Sequence, residues 1–306
     1  MDAKQTKMLP RPSSNPHADA YVEITPFETG NMSTSCSTLV EDARGSSTAT
    51  SWRFLLRHRK TGTNFWFDMG ISSDLSVYPP AVQRVHAHFQ PSPSSTSIEQ
   101  DTRSLNIDPE SIKHVIISHG HWDHLHPLPP AFTKSNMIVG AGSSAHCSPG
   151  FPKAPDSKFD GRIWDPELRS FPVEELPPPA SSPAWKPLGP FPHAYDFFDD
   201  GSFYLIDAPG HMQGNLAALA RVKTKKGQWK WVLLGGDCAH CNLFTYWPDA
   251  PFGKMPKALF PSGCLHESAE TARRTIERIA ECKRNEGNDL LVSYAHSDFL
   301  EGFWEL

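Results

Sequence analysis

Ser118-His119-Gly120-His121-Trp122-Asp123-His124 is the stretch on which the reading of this 306-residue chain turns. Four candidate ligands, His119, His121, Asp123 and His124, are packed into one short segment. Just upstream, Val115-Ile116-Ile117 is a continuous apolar run, the pattern of a strand buried on both faces. Imidazole and carboxylate are good zinc ligands, and a tight loop at the end of a buried strand lets such side chains converge. Trp122 cannot ligate, and Gly120 is read as permitting backbone angles that a β-carbon would forbid. The plain alternative is a histidine-rich surface loop that binds nothing; chance spacing of this kind behind a buried strand argues against it. His114 and His126 flank the motif outside its spacing and are read as surface or supporting residues.

Outward from this segment, strands dominate. Tyr21-Val22-Glu23-Ile24 alternates like a strand, and Trp52–Leu56 and Phe65–Asp68 flank the turn Lys60-Thr61-Gly62-Thr63 as a hairpin ending at Asp68. Asp108-Pro109 caps a short helical turn before the apolar run. Met137–Gly140, Phe203–Asp207, Asn215–Val222, Trp229–Leu234 and Leu290–Tyr294 read as further strands. Ser268 to Arg284 is the clearest helix: Ala269, Ala272, Ile276, Ile279 and Ala280 form one apolar stripe, with glutamate early and lysine or arginine late. This order predicts an α/β protein of αββα sandwich type, two packed mixed sheets flanked by helices.

Composition bounds the remainder. Residues 1–18 are polar and rich in proline and serine, predicting a disordered lead-in before one domain over 19–306. Twelve of the 29 prolines fall between residues 148 and 192. No regular sheet interior tolerates that density, so this segment is expected to be a long loop or insertion. A formal charge of −5 and a pI near 6.3 leave no electrostatic footprint for nucleic acid. No apolar stretch is long enough to span a bilayer, and the N-terminal stretch lacks a secretory apolar core. The six scattered cysteines then predict reduced thiols in the cytoplasm. Cys238-Ala239-His240-Cys241 has metal-like spacing but no second pair, and a local coincidence is the preferred reading. Tyr246 and Trp247 are read as pocket-lining or core.

The run H-x-H-x-D-H after an apolar strand resembles the signature of the metallo-β-lactamase superfamily. Asp207-Ala208-Pro209-Gly210-His211, Gly235-Gly236-Asp237 and Tyr294-Ala295-His296 are similar to its later metal-binding elements, in the same order. Asp68 resembles the early aspartate that supports the metal loop. The resemblance runs from about residue 20 to 300. It implies two Zn²⁺ ions per chain: one on His119, His121 and His211, the other on Asp123, His124 and His296, with Asp237 bridging. It also implies a small-molecule substrate, opened when a hydroxide held between the metals attacks a carbonyl. Two zincs against two aspartates and a hydroxide leave one net positive charge to stabilise the developing oxyanion.

Departures narrow the branch. Flavodiiron members carry glutamate where His121 stands, antibiotic-hydrolysing members generally carry cysteine where Asp237 stands, and the nucleases handle polyanions. Phe67-Asp68-Met69-Gly70-Ile71 and the long stretch before the metal loop look like the acyl-homoserine lactonases and their fungal relatives, which points to a lactone or lactam hydrolase. Bacterial lactonases often place a tyrosine soon after the bridging aspartate. Here Asp237-Cys238-Ala239-His240 offers His240, so the catalytic candidates are Asp123, Asp237 and His240, the last as donor to an oxyanion or leaving group. A histidine merely hydrogen-bonded in a loop is an equal alternative for His240. A glyoxalase II-like thioesterase and a non-catalytic metal-binding protein of the same fold are the competing readings. The oligomeric state is left open.

Overall fold

Alternation along the strands builds the layers of the computed structural model, which describes residues 8–132, 134–297 and 300–306. The first sheet contains β1 (Val22–Ser35), β2 (Ser46–His58), β3 (Thr63–Phe67), β4 (Ser92–Pro93), β5 (Ile112–Ile116), β6 (Asn136–Val139) and β7 (Val173–Glu175), in the order β4-β1-β2-β3-β5-β6-β7. The second contains β8 (Trp185–Leu188), β9 (Phe191–Asp196), β10 (Phe203–Asp207), β11 (Leu216–Lys223), β12 (Trp229–Leu234) and β13 (Leu290–Ser293), in the order β13-β12-β11-β10-β9-β8. Both sheets are mixed: β3, β5, β6 and β7 pair in parallel, as do β12 and β13, and the other pairs are antiparallel.

Side chains of period two divide each strand between two cores. Phe65, Phe67, Ile116, Leu205, Leu216 and Ala218 meet between the sheets. Trp66, Val115 and Ile117 face the other way, into a core closed by Leu125, Ile163 and Trp164. Across the molecule, Leu219 and Leu233 pack against Ile276, Ile279 and Cys282 of the helix Ala269–Glu286. The result is the expected αββα sandwich.

Several local expectations are corrected. The lead-in read as disordered through residue 18 is anchored from residue 8; residues 1–7 lie outside the described residues. Leu9 is buried, Trp231 Nε1 donates to Pro10 O at 2.9 Å, and Arg221 Nη1 donates to the carbonyls of His17 and Ala20. A buried guanidinium needs those acceptors, and this segment supplies them. The proline-rich 148–192 stretch contains the short helix Gly161–Trp164, β7, β8 and the start of β9. Its strands lie at or next to sheet edges, where a missing amide proton is tolerated. β1 is far longer than its Tyr21–Ile24 core, and the helices Val82–Phe89 and Ile98–Ser104 were not foreseen.

Candidate metal centre

The seven candidate ligands come from loops at the C-terminal ends of strands. His119, His121, Asp123 and His124 follow β5, His211 follows β10, Asp237 follows β12 and His296 follows β13. β5 belongs to one sheet and the others to the second, so the groups meet where the two sheets open at one edge. Leu216 N donates to Ser118 O at 2.8 Å and Ala295 N to Gly236 O at 2.9 Å, stitching the loops together.

The structure brings all seven side chains into two adjoining groups. In the first, His119 Nε2, His121 Nδ1 and His211 Nε2 lie 2.9–3.0 Å from one another. In the second, His296 Nε2 lies 3.3 Å from Asp123 Oδ2, and His124 Nε2 lies 3.9 Å from the same oxygen. Asp237 stands between them. Its Oδ2 faces His119 and His211 at 3.8 and 3.4 Å; its Oδ1 faces His124 and His296, each at 3.2 Å.

The far sides of these rings fix which nitrogen faces inward. His296 Nδ1 donates to Thr50 O at 3.1 Å, and His124 Nδ1 donates to Asp68 Oδ2 at 2.8 Å, so each presents Nε2 to the centre. Asp68 also accepts from the backbone and hydroxyl of Ser118, at 2.7 and 2.8 Å. Its backbone has φ 59°, a left-handed conformation that aspartate tolerates better than most residues.

Three imidazole nitrogens in mutual contact suit a divalent cation. A neutral imidazole carries one N–H, and no arrangement of hydrogens satisfies all three pairs with ring geometry intact. His124 Nε2 and Asp237 Oδ1 are buried without a hydrogen-bond partner, as ligand atoms awaiting a cation would be. Burial holds His119 and His211 well below the ordinary imidazole range and His121 at about 4, leaving their lone pairs free. For His296 burial works in the same direction, but the Asp237 and Asp123 carboxylates outweigh it and push the ring up to about 10. The donor set of imidazoles and carboxylates fits zinc and similar metals.

Gly120 is needed for a different reason from the one the sequence suggested. Its φ is not in the left-handed region; a β-carbon there would sit 2.8 Å from Cys147 Sγ and 3.2 Å from the Trp164 ring. Gly210, before His211, has φ 129°, and a β-carbon would lie 2.2 Å from Ala272 N at the start of the long helix.

His240 reaches the centre, its Nε2 3.3 Å from Asp237 Oδ2. His266, missed from the sequence, completes a third histidine group with His211 and His240. It sits in a polar loop with no spacing relationship to the other motifs. Cys238 is buried, with Asn215 Nδ2 3.5 Å from its sulfur, and no cysteine joins a metal-like group among the described residues. His114 pairs with Asn136 and His126 with the Pro127 carbonyl. Tyr246 and Trp247 are exposed, at 64% and 53%, and do not line the pocket above the metal loop.

No protein-family model matches the chain. Over 253 residues it is 32% identical to a Penicillium brevicompactum protein described as the cytochrome P450 monooxygenase mpaDE′, a match over 77% of this chain and 28% of that one. It is 31% identical to the gamma-lactamase MBL2 of Gibberella moniliformis over 201 residues, 64% of this chain and 78% of that one. The chain spans 28% to 44% of the length of the first curated relatives it matches. A solved quorum-quenching N-acyl homoserine lactone lactonase has the same fold, with a TM-score of 0.61 and 16% identity over 92% of this chain and 95% of that one. The chain belongs to the metallo-β-lactamase superfamily, among relatives described as a metallo-hydrolase and gamma-lactamases.

Proposed function

We propose that this chain is a metal-dependent hydrolase that opens a small cyclic ester or amide, using two zinc ions. The observation that carries the proposal is Asp237, which turns one carboxylate oxygen to each of two histidine groups. His119, His121 and His211 would hold one ion, Asp123, His124 and His296 the other, and Asp237 both. Bound there, the metals would supply a Lewis acid and a water acidified toward neutral pH.

The chain's own residues do the rest. Asp68 and Thr50 orient His124 and His296 through their outer nitrogens. Trp122, Met32, Val85 and Phe89 wall an apolar cavity above the metal loop, which suits an apolar small molecule. His240 lines the same cavity and is placed to donate from Nε2 to a departing oxygen or nitrogen. An apolar cavity in an acidic chain argues for a small-molecule substrate and against nucleic acid. No helix among the described residues is long and apolar enough to cross a membrane. The cytoplasmic location expected from the scattered cysteines of the sequence is kept as part of this proposal.

The test combines metal analysis with product detection on an acyl-homoserine lactone, an aryl-fused cyclic carbamate, a γ-lactam and a glutathione thioester, with Asp237→Ala as control. Two zincs per chain and ring opening lost in the control are expected. Turnover of the thioester alone would replace this reading with a glyoxalase-like one.

A further inference from the structure

Among the described residues, Lys158 is the one lysine or arginine that lines the metal cavity, and it comes from the proline-rich insertion. Lys158 lines this cavity together with Phe159, Phe89 and Phe260. Its Nζ donates to Leu259 O at 3.1 Å and lies 5.5 Å from the centre of the Phe260 ring. Those two contacts hold the ammonium at the mouth and leave two of its three donors uncommitted.

Nearby charges do not neutralise it. Glu267 is within electrostatic reach but bonds to His146 at 2.8 Å, and Arg84, on the helix Val82–Phe89, is also within reach and has Asp156 at 4.0 Å. Among the described residues no carboxylate forms an ion pair with Lys158. Lys158 and His121 line the same cavity, so one small molecule seated in it can meet both. Lys158 and His121 also share an adjoining cavity bounded by His266 and Glu267. The chain as a whole is acidic, which makes a cationic rim on an apolar cavity a local feature rather than a reflection of composition.

We propose that the substrate is an anionic one: an apolar, ring-fused lactone or lactam carrying a carboxylate, with the ring over the metal loop and the carboxylate held by Lys158. This rests on the ring-opening function proposed above for the same site, and it adds the charge and shape of the molecule. The apolar walls take the fused ring body. The cation at the rim selects the substituent, because a charged hydrogen bond at a partly dry mouth discriminates more strongly than the walls can.

The test separates recognition from ring opening. 1-Indanone-5-carboxylate and 1-indanone-5-carboxamide have the shape of a fused five-membered ring and cannot be opened by hydrolysis. Calorimetric titration of both into the zinc-loaded protein should show the carboxylate binding roughly tenfold to a hundredfold more tightly. The preference should vanish in Lys158→Met, persist in Lys158→Arg and shrink with added salt. Unchanged zinc content and melting temperature in Lys158→Met would show that the variant is folded. Equal affinity for the two probes, binding of neither, or a preference that Lys158→Met leaves intact would overturn the proposal. Turnover of phthalide and 5-carboxyphthalide is measured alongside. A carboxylate preference in binding with no ring opening of either lactone would sink the proposed reaction and leave Lys158 as an anion-recognition residue. Ring opening with no preference would do the reverse.

Discussion

Asp68 Oδ2 lies 2.8 Å from His124 Nδ1, joining residues 56 apart in the chain across the end of two parallel strands. β3 ends one residue before Asp68, and β5 ends just before the metal loop. The strand pairing therefore delivers the carboxylate to the ring. Because the carboxylate accepts a hydrogen bond from Nδ1, Nε2 is the nitrogen left facing Asp237.

Replacing Asp68 with asparagine keeps the size but removes that acceptor charge and permits the wrong tautomer. Metal affinity in Asp68→Asn should fall roughly tenfold to a hundredfold. Competition with a coloured chelator measures it. The same affinity as the parent protein would mean that His124 is oriented by packing alone.

Zinc uptake should release protons. Burial disfavours a charged His124 or His296, but the Asp237 carboxylate, aided by Asp68 for one and Asp123 for the other, raises both rings. A raised imidazole contributes stability that is complete below its unfolded pKa of about 6.5 and is lost as pH rises through the folded value. For His296 that value is about 10, so the metal-free protein should weaken over the alkaline range between the two. At pH 7 zinc must displace both protons, and calorimetry in buffers of different ionisation enthalpy should count about two released per chain. Release of none would show that the rings are already neutral.

The sandwich was legible because its central strands alternate or run apolar and its long helix carries an uninterrupted stripe. The segments that escaped lack a local signal. The helix Val82–Phe89 has Ala81 as its N-cap, with no side-chain cap bond, behind two prolines, and the far half of β1 is mostly threonine, asparagine and serine around Gly30 and Met32. The anchoring of Leu9 to Ala20 depends on Arg221 and Trp231, about two hundred residues away, and no window of sequence contains both ends of that contact. At the centre, the residues at strand ends could be placed by motif. His266 could not, because only the fold carries its loop back to His211 and His240.

Gly210 couples the metal loop to the long helix. Ser268 N donates to Gly210 O at 3.0 Å and Glu267 N to His211 O at 2.9 Å, so the helix start and the ligand loop share one turn. In Gly210→Ala the new carbon would enter the backbone of Ala272 with φ at 129°. Crowding and backbone strain each cost about 1–3 kcal/mol. The melting temperature should drop by roughly 5 °C or more, and zinc affinity should fall with it. A variant that melts with the parent protein would mean that the turn shifts without strain.

His240 distinguishes the two ring chemistries. An alkoxide leaves a tetrahedral carbon without much help, whereas an amide nitrogen must gain a proton before it can depart. A donor 3.3 Å from Asp237 and on the cavity wall therefore matters more for a lactam than for a lactone. His240→Asn should lower kcat for the lactam by about a hundredfold or more and for the matched lactone by about tenfold or less. Zinc content is measured alongside, because a lost metal would depress both equally. Equal losses with both metals retained would make His240 a positioning residue for Asp237, acting before the leaving group is chosen. An unchanged lactam rate would remove it from the reaction and leave the proton to come from solvent.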